Sequence, residues 1–310
     1  MEKKTFLGGL ITGVLLTVIT LESPLFTPKQ VPIAPDNTQH AAINPSPEPA
    51  RTSEPAGAMS DVMPANYDLG VSFGDTIVKM VQAGAIDKEK FVSLYSSRQA
   101  LTQAQLQLLT NPSSEPVFLD KDNAGLLLNL FWPLGIANKS DVLSSGPLGT
   151  QYKDDAGNMA STGGWSLAKG NGGLYLNSLS LIQMTDQQQK MVADMAMHIY
   201  RPCCNNHTYF PDCNHGAAML GYIELAVAQG LPPQRIYKNA LVPNAYWFPQ
   251  YYTALATYYK AKRNLDWKNV DAVEALGSQY SSIEGSGVVM ELLQKEGLLP
   301  KEQDSGGCGA

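Results

Sequence analysis

The sequence predicts an all-α protein: a multi-helix globular domain with a long glycine-rich loop, tethered to an N-terminal membrane anchor or signal segment. Three observations carry this. Apolar residues recur at helical spacing between capping signals through most of the chain after residue 65. No stretch alternates with the period of a strand, and no repeat of solenoid length stands out. The glycines at 146, 149, 157, 163, 164, 170, 172 and 173 are spaced too irregularly for helix or strand, which makes residues 144–174 a long loop.

Residues 1–22 open with Lys3 and Lys4 and continue as a mostly apolar run from Phe6 to Leu21, stopped by Glu22 and Pro24. This pattern marks a segment for export. Its apolar length falls between a signal core of about 7–15 residues and a bilayer span of about 20. No small-x-small pattern precedes Glu22 and no cysteine is available there for lipidation, which favours an uncleaved anchor over a cleaved signal. The two lysines stay on the cytoplasmic side by the positive-inside tendency, so the membrane is the expected partner and the domain is expected on the extracytoplasmic face, or secreted if cleavage occurs. Residues 23–64, centred on Pro45-Ser-Pro-Glu-Pro49, have too few large apolar residues to fold and read as a disordered Pro-rich tether; His40 within it carries no expected role.

The helical domain is expected over residues 65–302. Val71, Ile77, Val78 and Val81 precede a glycine stop at Gly84, and Asp87 opens a short helix through Phe91 and Tyr95. Thr102-Gln-Ala-Gln105 is a capping box, in which each side chain satisfies an amide left free by the first turn, and Asn111-Pro112 closes that helix. The run Ala124 to Trp132 is apolar nearly all round, which predicts a central core helix ending at Pro133. A second capping box, Thr185 to Gln188, launches a helix as far as Pro202, and a helix from Gly216 to Ala228 stops at Gly230. Pro232-Pro233 and Pro249 start two more. The aromatics between Tyr237 and Tyr259 fill a core by the plainer reading and line a pocket by the sharper one. Two last helices are expected at Trp267–Leu276 and Gly287–Lys295, before a flexible Gly/Cys tail at 303–310.

A net charge of −6 with only 22 Lys plus Arg, and no basic cluster, excludes the phosphate-neutralising face that nucleic acid requires. The chemistry gathers elsewhere. Three of the four cysteines and three of the four histidines lie between His198 and His215, in a loop joining two predicted helices. Zinc and copper take Cys sulfur and His nitrogen, so Cys203, Cys204, His207, Cys213 and His215 are the candidate ligands. His198, in the last helical turn, joins them as a residue that packing or capping explains equally well. Adjacent cysteines rarely reach one small ion together, so the expected shell takes one or both of Cys203 and Cys204, then Cys213, then one or two histidines. The spacing matches no zinc-finger signature, and Cys-x-x-Cys-His for haem attachment is absent.

Two other readings stay open at this point. One is thiol-disulfide exchange or soft-metal handling, with Cys203, Cys204, Cys308 and Asp212 as catalytic candidates and Cys308 swinging on its glycines. The other is a binding module stapled by disulfides such as Cys204 with Cys213, without catalysis. Asp212, Asn214 or His215 is expected to cap the following helix; Asp212 otherwise orients a ligand histidine or acts as a base on a metal-bound water. Arg201 either lowers a cysteine pKa or answers helix-end carbonyls. Glu224 faces the site, water or an internal partner. The loop around Ser161-Thr-Gly-Gly-Trp165 lacks the features of a P-loop or a serine-hydrolase elbow, while Asn138-Lys-Ser140 and Asn206-His-Thr208 match glycosylation sequons. No small-molecule or protein partner is named by any motif.

Overall fold

A computed structural model describes residues 60–97 and 99–299. The expected anchor at 1–22, most of the tether and the tail carrying Cys308 lie outside the described residues. Ser60 to Pro64, expected in the tether, belong to the body: Val62 is buried, and the Pro64 carbonyl accepts a hydrogen bond from the Tyr246 hydroxyl at 3.0 Å. Among the described residues no helix is long and apolar enough to cross a membrane.

The protein is mostly helical. Thr76–Ala83 (α1) ends as expected at Gly84, whose φ of 88° is open to glycine at little cost. Lys88–Ser96 (α2) is capped by the Asp87 carboxylate, and Gln103–Leu108 (α3) by the anticipated Thr102/Gln105 box. Tyr67–Asp68 (β1) pairs antiparallel with Phe118–Leu119 (β2), with Tyr67 opposite Leu119. This two-residue ladder is too short to leave an alternating pattern in the sequence.

The core is organised by Ala124–Ala137 (α4) and Asn214–Ala228 (α7), which make the most extensive helix–helix contact among the described residues. Two glycines open the seam. A Cβ on Gly135 would stand 1.9 Å from the Ala217 carbonyl, and one on Gly221 would stand 2.4 Å from the Phe131 carbonyl. Helix α4 runs through Pro133 to Ala137 instead of ending at the proline. Leu134, Ile136 and Ala137 are fully buried, and their removal from water, at about 25 cal/mol per Å², outweighs one missing helical hydrogen bond.

The remaining helices surround this pair. They are Asp141–Ser145 (α5), Asp186–His198 (α6), Pro233–Trp247 (α8), Pro249–Arg263 (α9), Ala272–Leu276 (α10), Ser278–Ser281 (α11) and Ile283–Lys295 (α12). The Thr185/Gln188 box that starts α6 is present. The expected Trp267–Leu276 helix is broken into a 3-10 turn and α10, and α12 begins four residues before Gly287. The glycine-rich loop is ordered by short turns and by Trp165, whose buried indole donates to the Ala85 carbonyl at 2.7 Å. Most aromatics of α8 and α9 pack the core, Tyr252 and Tyr259 among them.

Candidate metal centre

Helix α6 delivers its last residues into a tight return. Thr208 N and its hydroxyl both donate to the Ile199 carbonyl, at 2.8 and 2.9 Å, and Tyr209 N donates to the Ala196 carbonyl at 3.0 Å. These bonds fold residues 201–207 back over the end of α6. Neighbouring elements then fix the loop from outside. Asn244 on α8 donates to the Tyr200 carbonyl, Ser161 N of the glycine-rich loop donates to the Asp212 carbonyl, and Phe210 stacks on Tyr152 with centroids 4.8 Å apart. At the start of α12, Ile283 N donates to the Cys204 carbonyl at 3.0 Å, while Asn205 both donates to the Glu284 carboxylate and accepts from Glu284 N.

Inside the return lies Arg201, only 1% exposed. Its guanidinium donates to the Asn206 and Phe210 carbonyls, to Asp212 Oδ1 at 2.6 Å and, through Nε, to Cys213 Sγ at 3.2 Å. The other Asp212 oxygen accepts from Asn206 Nδ2 at 2.8 Å. The expected helix cap is corrected here: Asp212 answers the arginine, and Cys213 caps α7, its sulfur accepting from Gly216 N at 3.4 Å. Gly216 is required beside it, because a Cβ there would come within 2.8 Å of the Arg201 guanidinium.

The three sulfurs converge. Cys203 and Cys204 are 3.5 Å apart, Cys204 and Cys213 3.5 Å, and Cys203 and Cys213 3.7 Å; all three are free thiols. His215 Nδ1 lies 3.9 Å from Cys203 Sγ, with its ring against Phe248 and Trp247. Such a Cys/His group can hold a metal ion: donor atoms of Cys203, Cys213 and His215 fall within 4.8 Å of one another, as do those of Cys204, Asp212 and Cys213.

At these distances the three sulfurs set one another's hold on their protons. Hydrogen bonds from Cys203 and Cys204, aided by the Arg201 charge, hold the Cys213 thiol well below the usual range against the opposing effect of burial. Cys203 is pushed up by sharing its hydrogen bonds with Cys204 and Cys213 and by burial. Cys204 is pushed up to about 11: its contact with Cys203 pulls it down, and the contact with Cys213 plus burial outweighs that. Of the three, Cys213 is the one whose proton is held least tightly.

The other sequence candidates stand apart. His198 turns back on its own helix, its Nδ1 2.7 Å from the Asp194 carbonyl. His207 is wedged edge-on between Tyr200 and Tyr209 and belongs to neither donor group; burial lowers its pKa, and its Nδ1 has no protein partner. Glu224 takes the internal partner, accepting from Asn138 Nδ2 at 2.9 Å, and burial pushes its carboxyl up to about 8. Asn138 is fully buried, which removes the first sequon as a modification site in the folded protein. Two clefts of ≈ 490 and ≈ 420 Å³ lie elsewhere, and neither is lined by a residue of the cysteine loop.

Sequence reasoning missed the Asn205/Glu284 latch, for which pairing across 79 residues leaves no local signal. It also passed over Gly216, whose place in the first turn of α7 beside the ligands was visible. Comparison with family models, with curated proteins and with solved structures finds no match for this chain.

Proposed function

We propose that the chain is an extracytoplasmic, membrane-tethered protein that binds a transition metal, zinc or copper, through Cys203, Cys204, Cys213 and His215. The triangle of sulfurs carries this reading. A tetrahedral ion held by thiolates at about 2.3 Å sets its sulfurs about 3.8 Å apart, and the edges here are 3.5, 3.5 and 3.7 Å. Zinc suits this set best, with His215 as the fourth donor after a small approach. Four protein donors close the shell, which favours a structural role: the ion joins the end of α6 to the start of α7 and, through Cys204, to α12. The Arg201 hydrogen bond orients the Cys213 sulfur from outside that shell. The membrane tether rests on the pattern of residues 1–22.

Elemental analysis of the purified full chain tests the reading, with about one zinc or copper per chain expected. Cys213→Ser and His215→Ala are expected to lose it; protein from a metal-replete preparation carrying no metal overturns the proposal.

The low-pKa Cys213 thiol favours a second reading, thiol exchange in which it acts with Cys203, Cys204 or Cys308. That reading expects rapid alkylation of Cys213 in the protein as purified; resistance until a chelator is added points back to the metal.

A further inference from the structure

Beyond a transition metal, we propose that the same three sulfurs form a binding site for trivalent arsenic as arsenite, with Cys203, Cys204 and Cys213 as its three donors and His215 as a bystander. This inference rests on the sulfur convergence on which the metal reading also rests. It departs from that reading in the number of donors and in the charge of the bound state.

A trivalent arsenic with a lone pair is pyramidal, needing three sulfurs on one side and nothing on the other. The loop offers that: a near-equilateral triangle with edges of 3.5, 3.5 and 3.7 Å, somewhat tighter than the roughly 3.8 Å set by a tetrahedral thiolate-bound zinc. The vicinal pair, awkward for a tetrahedral ion, supplies two donors already turned to the same side. Among the described residues the imidazole grouped with these sulfurs is His215, whose Nδ1 lies 3.9 Å from Cys203 Sγ and whose ring rests on Phe248 and Trp247, so it must move to become a ligand.

Charge points the same way. Arg201 is buried and paired with Asp212 at 2.6 Å, so that pair adds no net charge beside the sulfurs. A divalent ion on three thiolates and an imidazole leaves one negative charge in this half-buried place, offset only in part by the Gly216 amide and the Arg201 guanidinium on Cys213, whereas a trivalent one on three thiolates leaves none to offset. The reaction balances without an oxidant. Arsenous acid, As(OH)3, condenses with three thiols; three As–S bonds form, three As–O bonds break, and the hydroxyls leave as three waters carrying the thiol protons. Arsenic stays in the trivalent state.

The test uses the full chain, reduced and freed of metal by chelator, titrated with sodium arsenite while free thiols are counted and native mass is recorded. One arsenic per chain is expected to cut the accessible thiols from four to one, and Cys308→Ser to leave this protection intact. Cys213→Ser is expected to abolish three-thiol protection, with Cys204→Ser making the same test should the first variant not fold. His215→Ala separates the two ions: arsenite protection is retained, while zinc affinity falls by roughly a hundredfold, the scale at which even outer-shell partners act. Protection of only two thiols, or equal protection in Cys213→Ser, overturns this proposal even where wild-type chain binds zinc. Arsenite protection without zinc binding overturns the metal reading and leaves this one standing.

Discussion

Helix α7 meets two opposite demands within its length. Its first turn stabilises an anion: Cys213 sulfur receives the Gly216 amide and the Arg201 guanidinium at the positive end of the helix dipole, and its thiol is held low. Its middle excludes charge. There Gly221 lies against α4, Glu224 is fully buried, and burial pushes the Glu224 carboxyl up to about 8. One end is held by hydrogen bonds in a loop of polar and sulfur atoms, the other by backbone contact and apolar packing. The same helix can therefore lose its site without losing its core.

Variants that strike one end and spare the other probe this division. The largest effect is expected from Gly221→Ala, which drives a methyl into the Phe131 carbonyl; stability falls by about 3 kcal/mol or more, the upper range for overpacked interiors. Denaturant unfolding measures it, and the loss is expected to be the same with and without a chelator. A loss that metal restores breaks the comparison.

Glu224→Gln follows. In the folded protein the carboxyl keeps its proton up to about 8, while an unfolded chain releases it near its ordinary 4.5. Between those values the folded state binds more protons, so raising the pH favours unfolding. Wild-type stability is expected to decline from pH 5 to pH 8, on the order of 3 kcal/mol, and the variant to lose that slope. Parallel pH profiles for the two proteins sink the assignment of a neutral buried carboxyl.

At the other end, Arg201→Met takes the cation from Asp212, which keeps only its bond from Asn206, and one donor from each of two loop carbonyls. Because the Asp212 side chain is 29% exposed, water compensates in part, and about 2 kcal/mol is expected rather than the 3–5 of a fully buried pair. Metal content measured alongside sharpens the contrast, since this variant is expected to weaken metal binding and Gly221→Ala to leave it unchanged. The smallest effect belongs to Thr185→Ala, which removes half of the α6 capping box at about 1 kcal/mol in a thermal melt; its box partner Gln188 reaches the Val227 carbonyl at the far end of α7, away from the cysteines.

The elements most legible in the sequence were those specified locally. The Thr102 and Thr185 capping boxes, the Gly84 stop and the apolar run of α4 each depend on residues within a turn or two. What escaped depends on distance. Pro133 reads as a terminator until the burial of Leu134 to Ala137 is known, and Asp212 reads as a cap until Arg201 is found beside it. The clustering of Cys203, Cys204, Cys213 and His215 was visible from spacing alone. That His198 and His207 turn elsewhere was not, because a histidine near a loop carries no mark of which way its ring faces.

The latch between Asn205 and Glu284 has a consequence for how the protein is made. Its two halves are 79 residues apart, and at about 5–20 residues per second the ribosome takes roughly 4–16 s to traverse that gap. From the synthesis of Cys213 onwards, which is most of this interval, the growing polypeptide carries all three sulfurs before the segment that braces them has been translated. A chain stalled or truncated ahead of Ile283 thus carries its reactive groups without their clasp, and is the form most open to oxidation or capture by stray ions.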